Sequence, residues 1–308
     1  MEETLSSLNP SIAVVVSTYN GADHIREQLD SVLSQDVSNV AQLSIYVRDD
    51  GSKDNTPSVL EEYENNGGIT FIKGENLGVV GSFFDLISSV PKSIDYIALC
   101  DQDDVWHTDK LSRALRVLSA RDSNVPQLYC SEYIFCDADM NPKGRSHLNL
   151  IGVDFPKMLF ENMVSGNTTV INRALADAVV SAGRPGVYCH DWWLALVATA
   201  IGELAYDDFT SLDYRRTGSN VSPTGSDALK LLKYRFKTFF EKGQLSDISL
   251  QLEKLNDCFS NQMPDDKKRL LQTCLHGGRF AKAFLPMRLR QKPIEEIALR
   301  VLFLAGKL

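Results

Sequence analysis

Tyr96-Ile-Ala-Leu-Cys-Asp-Gln-Asp-Asp-Val-Trp106 is the stretch on which the reading of this chain turns. Its first five residues form a short apolar run without polar alternation, as expected of a strand covered on both faces. Asp101, Asp103 and Asp104 follow at the carboxyl end of that run. Carboxylates crowded together repel unless a cation offsets them. A helix cap for the segment beginning near Thr108 needs one such residue and not three, so the cluster points to a site. Hard oxygens at i and i+2 suit Mg2+ or Mn2+, with Asp101 and Asp103 as the ligands. A calcium loop of the EF-hand type fits poorly, because Val105 falls on its third ligand position.

Outward from this stretch, strands and helices alternate. Ser11-Ile-Ala-Val-Val-Val-Ser17 reads as a buried strand and runs into the loop Thr18-Tyr-Asn-Gly21. A helix follows, with Ile25, Leu29, Val32 and Leu33 on one face. Leu43-Ser-Ile-Tyr-Val-Arg48 is a second strand and ends in Asp49-Asp-Gly-Ser-Lys-Asp-Asn-Thr56; Ile69-Thr-Phe-Ile72 is a third. This order predicts an α/β fold, a mostly parallel sheet with helices on both faces. Ligands of such sheets bind beyond the carboxyl ends of the strands. The loops at 18–21, 49–56 and 101–104 are therefore expected to share one crevice.

Neither G-x-G-x-x-G after a strand nor G-x-x-x-x-G-K-[ST] occurs, so the usual glycine-rich phosphate cradles are missing. A metal bridging carboxylate and diphosphate oxygens is the alternative. Asp49-Asp50-Gly51-Ser52 is by itself a turn signal, and Asp54 a cap for the next helix; its functional reading is a carboxylate that accepts from a pyrimidine N–H or a ribose hydroxyl. His190-Asp191-Trp192-Trp193 opens an apolar helix. Asp191 there is either a first-turn residue favoured by the helix dipole or a general base. All three tryptophans, 106, 192 and 193, lie within two residues of an acidic motif. Indole faces serve as sugar platforms, although core packing is their commoner use.

Taken in order, Ser17-Thr-Tyr-Asn-Gly21, Asp49-Asp-Gly-Ser52, Asn76-Leu-Gly78, Asp101-Gln-Asp-Asp-Val-Trp106 and His190-Asp-Trp-Trp193 resemble glycosyltransferase family 2, over about residues 10–220. The Asp-Gln-Asp-Asp-x-Trp and His-Asp-Trp-Trp forms look most like bacterial rhamnosyltransferases of cell-surface polysaccharide assembly. The resemblance implies the GT-A-type nucleotide-sugar fold and inverting transfer from a nucleotide diphosphate. It implies Thr18, Tyr19, Asn20, Asp50 and Asn76 near the nucleotide, Asp101 and Asp103 on metal and diphosphate, and Asp191 as base. Trp106, His190, Trp192 and Trp193 become candidates for sugar or acceptor contacts. Tyr214-Arg215-Arg216-Thr217-Gly218 resembles a later family motif in which His is usual where Thr217 stands; Arg215 would pair with diphosphate. The implied donor is dTDP-rhamnose and the implied acceptor a lipid-linked glycan. Rival readings are a non-catalytic nucleotide-sugar or glycan binding module, and a sugar nucleotidyltransferase, which would want a glycine- and Arg/Lys-rich triphosphate loop.

Charge divides the 308 residues. Residues 1–227 hold 16 Lys and Arg against 32 Asp and Glu, whereas residues 228–308 hold 16 against 8. The split predicts a catalytic domain over 1–225 and a basic, amphipathic helical region over 226–308. Ser226 reads as an N-cap and Gly243 as a stop, with Leu229, Leu232, Phe236 and Phe239 as an apolar stripe between Lys230, Lys233 and Lys237. Such a region predicts peripheral docking on the anionic inner face of the cell membrane. Packing on the catalytic domain, or across a homodimer, is the alternative use of these stripes. No signal-peptide pattern opens the chain, and no apolar run approaches the roughly 20 residues of a membrane span. Six cysteines without a C-x-x-C pair suit buried thiols in a reducing cytoplasm. Nothing in the sequence suggests a nucleic-acid partner.

Overall fold

In the computed structural model, residues 10–38, 42–216 and 244–307 are described. The expected N-cap at Ser226, the stripe at Leu229–Phe239, the stop at Gly243 and the substitution at Thr217 lie outside them.

β1 (Ser11–Thr18) is buried along its length because it is covered twice. Ile12, Val14 and Val16 face one apolar cluster, and Ala13 and Val15 the other. β4 (Tyr96–Cys100) divides its side chains in the same way. Unbroken apolar runs of this kind arise where helices cover both faces of a sheet. On one face lie α1 (Ile25–Leu33), α2 (Thr56–Asn65) and α4 (Lys110–Leu118). On the other lie α3 (Gly78–Ser89), α6 (Arg173–Ala182) and α7 (His190–Ile201), with the short α5 (Phe155–Met158) beside α7. Leu33 departs from its expected place, being 44% exposed at the end of α1.

Among the described residues the sheet has nine strands. β2 (Gln42–Asp49), β3 (Thr70–Lys73), β1 and β4 pair in parallel, in the order β3-β2-β1-β4. Beyond β4 the sheet is mixed. β8 (Val170–Asn172) runs antiparallel between β4 and β6 (Gln127–Cys136), and β6 pairs in parallel with the long β9 (Glu203–Arg215). β7 (Pro142–Arg145) hangs antiparallel on β6. β5, only Val105–Trp106, pairs Val105 with Asp213 and Trp106 with Leu212, which draws the end of β9 beneath the acidic loop.

The later helices are α8 (Gln244–Phe259), α9 (Asp265–His276), α10 (Arg279–Ala283) and α11 (Pro293–Leu304). Ile248, Leu252, Phe259, Leu271 and Phe303 belong to the same apolar cluster as Ala13 and Val15. α7 explains how: it is apolar on nearly every side, which suits a helix buried between neighbours. No described helix is long and apolar enough to cross a membrane. All six cysteines are free; Cys258 is exposed and Cys189 partly so, against the expectation of buried thiols throughout.

Candidate active site

Parallel register sets the floor of the site. Thr18 lies beside Asp49, Asp49 beside Lys73, and Val16 beside Cys100, so four loops leave the sheet at one edge. Hydrogen bonds then join them. Thr18 Oγ1 and the Tyr19 N–H both donate to Gln102 Oε1 at 2.8 Å. The Asn20 N–H donates to Ser52 Oγ (2.7 Å), and Asn20 Oδ1 accepts the Lys53 N–H (2.8 Å). Asn20 takes a left-handed φ of 50°, which Asn tolerates better than most residues. At Gly21 a Cβ would meet Gln102 Oε1 and Thr18 Oγ1 at 2.6 Å, so only glycine allows this approach. The three loops expected to share a crevice do so.

Asp50 is buried and its carboxylate is taken. It accepts the N–H groups of Leu77 and Gly78, both at 2.9 Å, and pairs with Arg48. It thereby holds the Asn76-Leu77-Gly78 turn at the start of α3, while Asn76 itself is exposed and caps Gly78 (3.2 Å). At 3% exposure, with three donors already on its oxygens, Asp50 has little room left for a nucleotide contact.

The acidic loop has two layers. Asp104 points inward: it is buried and accepts Asn167 Nδ2 at 2.6 Å and the Arg215 N–H at 3.2 Å. Burial, then Asp101 and Asp103, push its pKa well up. Below it Lys110 is fully buried, donating to the Asn167 carbonyl (2.8 Å) and to Ser211 Oγ (3.3 Å). Burial lowers the Lys110 pKa to about 7, against the pull of nearby carboxylates. Asp101 and Asp103 form the upper layer. Their carboxylates have no hydrogen-bond or ion-pair partner in another residue among the described residues. Asp101 keeps some accessible surface, yet its surroundings are dense enough that desolvation, then Asp103 and Asp191, raise its pKa to about 7. Burial also raises Asp103, opposed by His24 and Arg215. Two crowded, part-exposed hard-oxygen groups without hydrogen-bond donors from other described residues are a donor set that a divalent cation fits.

Asp191 stands in the first turn of α7, near enough to Asp101 for its charge to help raise that carboxyl's pKa. Asp191 Oδ1 accepts Asn162 Nδ2 (3.0 Å) and its neighbour's N–H, that of Trp192 (2.6 Å). Asp191 Oδ2 accepts the Gly166 N–H (3.1 Å). The Cys189 thiol donates to Oδ1 at 2.9 Å. Ligand atoms of Cys189, His190 and Asp191 lie within 4.8 Å of one another; with Asp191 already so engaged, the trio reads as a carboxylate and its supports. Sequence reasoning missed these supports. Ser165-Gly166-Asn167-Thr168 is a small polar stretch between apolar ones, and that contrast was the available signal. In the structure this turn links the two motifs, with Gly166 on Asp191 and Asn167 on Asp104.

The tryptophans are corrected. Trp106 and Trp193 are 3% and 0% exposed, and neither indole N–H has a partner. Lys110 sits 4.5 Å over the Trp106 ring, and Phe259 packs on Trp193. Trp192 is also buried and donates Nε1–H to the Met158 carbonyl (2.6 Å). His190 stacks on Phe83 at 4.2 Å, with its pKa lowered by burial. Buried rings offer no face to a sugar, so these four are core residues behind the crevice. Arg215 is likewise engaged below it, donating to the carbonyls of Asp103 (3.0 Å) and Ala138 (2.8 Å) and pairing with Glu27. A diphosphate would have to compete with those partners.

Comparison with known proteins agrees with this geometry. Residues 13–163 match the model of Glycosyl transferase family 2. The matched segment is just under half of the chain. It holds the loops at 18–21, 49–56 and 101–104, while Asp191 lies beyond the matched segment. The dTDP-rhamnosyl transferase RfbG of Shigella flexneri is 35% identical over 139 residues, 43% of this chain and 44% of its own. An uncharacterised glycosyltransferase of Rickettsia prowazekii is 23% identical over 76% of this chain and 73% of its own. Among solved structures, S. aureus TarS 1–349 in complex with UDP-GlcNAc shares the fold with a TM-score of 0.53 and 13% identity, over 96% of this chain and 91% of that one. The mannosyltransferase PcManGT of Pyrobaculum calidifontis, in complex with GDP-Man and Mn2+, gives 0.55 and 16%, over 97% and 75%. The architecture of the described residues is thus the α/β fold shared with those two structures, carrying C-terminal helices.

Proposed function

We propose that the chain is a metal-dependent inverting glycosyltransferase that moves L-rhamnose from dTDP-β-L-rhamnose to a hydroxyl of a lipid-linked polysaccharide acceptor. The observation that carries the reaction type is the pairing of two unpartnered carboxylates, Asp101 and Asp103, with a separately supported one, Asp191, across one crevice. Asp101 and Asp103 would hold Mn2+ or Mg2+, which when bound offsets the negative charge developing on the leaving diphosphate. Tyr19 and Asn20 would stand on the nucleotide side, with Tyr19 43% exposed, whereas Thr18 is 1% exposed and bonded to Gln102, so its part would be to hold that loop.

Asp191 acts as the base. It takes the proton of the acceptor hydroxyl as that oxygen attacks the anomeric carbon opposite the leaving group, so the configuration inverts. A base of this kind contributes about 10²–10⁴-fold in rate. The Asn162 and Gly166 N–H groups hold both of its oxygens, which fixes the direction of the free lone pairs before the acceptor arrives.

The rhamnose donor is supported by the motif forms and by the likeness to the Shigella dTDP-rhamnosyl transferase over part of both chains. Residues 1–225 would carry the chemistry, and residues 226–308 would set the enzyme on the cytoplasmic face of the membrane. A panel of nucleotide sugars tests the donor: metal-dependent hydrolysis of dTDP-rhamnose should exceed that of UDP-glucose, UDP-GlcNAc and GDP-mannose. Preference for any of these three overturns the donor, and no hydrolysis of any sugar with either metal points to the binding module.

A further inference from the structure

α11 has two apolar faces, and only one is covered by described residues. Leu299, Leu302 and Phe303 turn inward, with Phe303 edge-on to Phe160 at 5.4 Å. Ile294, Ile297, Val301 and Leu304 turn outward and are 42–64% exposed. The adjacent α10 adds Phe280 and Phe284, each 73% exposed and stacked on one another at 6.3 Å. The two helices are tied together, since Arg300 Nη1 donates to the carbonyls of Lys282 (3.1 Å) and Ala283 (3.2 Å). Arg279 packs against Gly306 at the far end of α11. Six large exposed apolar side chains on two helices tied together are more than scattered exposure, and such a concentration marks an interaction site.

The charges on this surface choose its occupant. Residues 278–307 hold seven Lys and Arg and two Glu. Both glutamates are engaged inward, Glu295 with Arg290 and Glu296 with Arg300, each at 2.6 Å. Arg279, Lys292 and Lys307 are exposed. The solvent side of the hairpin is therefore aromatic, aliphatic and positive. A second copy in a symmetric pair would set these cations against their own images. An anionic bilayer answers both features, because headgroups attract the cations while the rings and aliphatic chains enter the acyl boundary.

We infer that the outward face of α10 and α11, centred on Phe280, Phe284, Ile297 and Val301, is the surface by which the protein lies on anionic lipid. The inference deepens the membrane docking proposed above and is independent of the donor and of the chemistry. Sedimentation with phosphatidylglycerol/phosphatidylcholine vesicles tests it, beside pure phosphatidylcholine vesicles. The unaltered chain should bind the anionic vesicles, and raising NaCl should weaken binding. Phe280→Glu/Ile297→Glu should lose about a hundredfold in partitioning, with its melting temperature and nucleotide-sugar hydrolysis unchanged, because both side chains face out. Arg279→Glu/Lys292→Glu should lose about tenfold or more. Equal binding by the apolar double variant overturns this face while leaving membrane docking to another part of the chain. No binding of the unaltered chain to either vesicle overturns both. A dimer in analytical ultracentrifugation that Phe280→Glu/Ile297→Glu abolishes, without vesicle binding, gives the face to a second copy and overturns the lipid.

Discussion

The two layers of the acidic loop differ more than their neighbouring positions suggest. Asp104 has two hydrogen-bond donors on its carboxylate, Asn167 Nδ2 and the Arg215 N–H. Asp101 and Asp103, only three and one residues away, have no such donor from another residue among the described residues, only the more distant charges of Lys110, His24 and Arg215. A fold that builds a full shell around one carboxylate and leaves two others bare has separated scaffold from function. Crowded carboxylates without donors are destabilising, which supports the proposed cation at Asp101 and Asp103. The same contrast separates Asp191, held in place but open to the crevice, from the tryptophans packed behind it.

The largest effect should come from the open layer. Asp191→Asn should lower turnover by about 10²–10⁴-fold while donor affinity holds, because the base acts in the transition state. Loss of donor affinity with turnover kept at saturation would remove Asp191 from that role. Asp103→Asn should abolish metal-dependent turnover with the melting temperature unchanged or slightly higher, since one repulsive charge is gone. Normal metal dependence in that variant would merge the two layers into a helix cap.

In the closed layer the expected loss is of stability. Asn167→Ala leaves the Asp104 carboxylate short of the donor it now accepts and the Ser165 hydroxyl short of its acceptor, at a cost of about 1–3 kcal/mol. Calorimetry should show a fall of several degrees. An unchanged melting temperature would mean that this layer is not scaffold. Asn162→Ala sits between the two. It should lower kcat by roughly tenfold without changing donor affinity or stability, and Asn162→Asp should be worse because it adds a like charge beside Asp191.

The smallest effect is a pH dependence. Asp101 has a folded pKa of about 7, above the roughly 3.9 of an unfolded Asp. Its protonated form is therefore favoured by the fold. The stability this contributes is complete below about pH 4, declines as pH rises toward 7, and is absent above. Metal-free protein should melt a few degrees lower at pH 7.5 than at pH 5. Asp101→Asn should flatten that difference, and Mn2+ should restore the melting temperature at pH 7.5. A wild-type slope that persists in the variant would assign the titration to other groups.

Much of the parallel half was legible because its physics is local. β1 and β4 announce themselves as unbroken apolar runs, and the polar loops after them stand out against that background. The mixed half was not legible. β8 has three residues and β5 two, too short for any periodic signal, and both exist only because β4, β6 and β9 offer edges to pair with. Trp106 and Trp193 were misplaced for a related reason. Their position beside acidic motifs in the chain says nothing about which side of a helix or strand they face.

From its sequence alone this protein is an α/β chain with carboxylates gathered at strand ends, because strand propensity, loop chemistry and charge crowding act over a few residues. Tertiary structure alone decided which carboxylates are bare. Asp104 is satisfied by Asn167 and by the Arg215 backbone, 63 and 111 residues away, and Asp191 by Asn162 and Gly166, 29 and 25 away. Whether a charged side chain has partners depends on what the folded chain brings near it, and no local pattern carries that information.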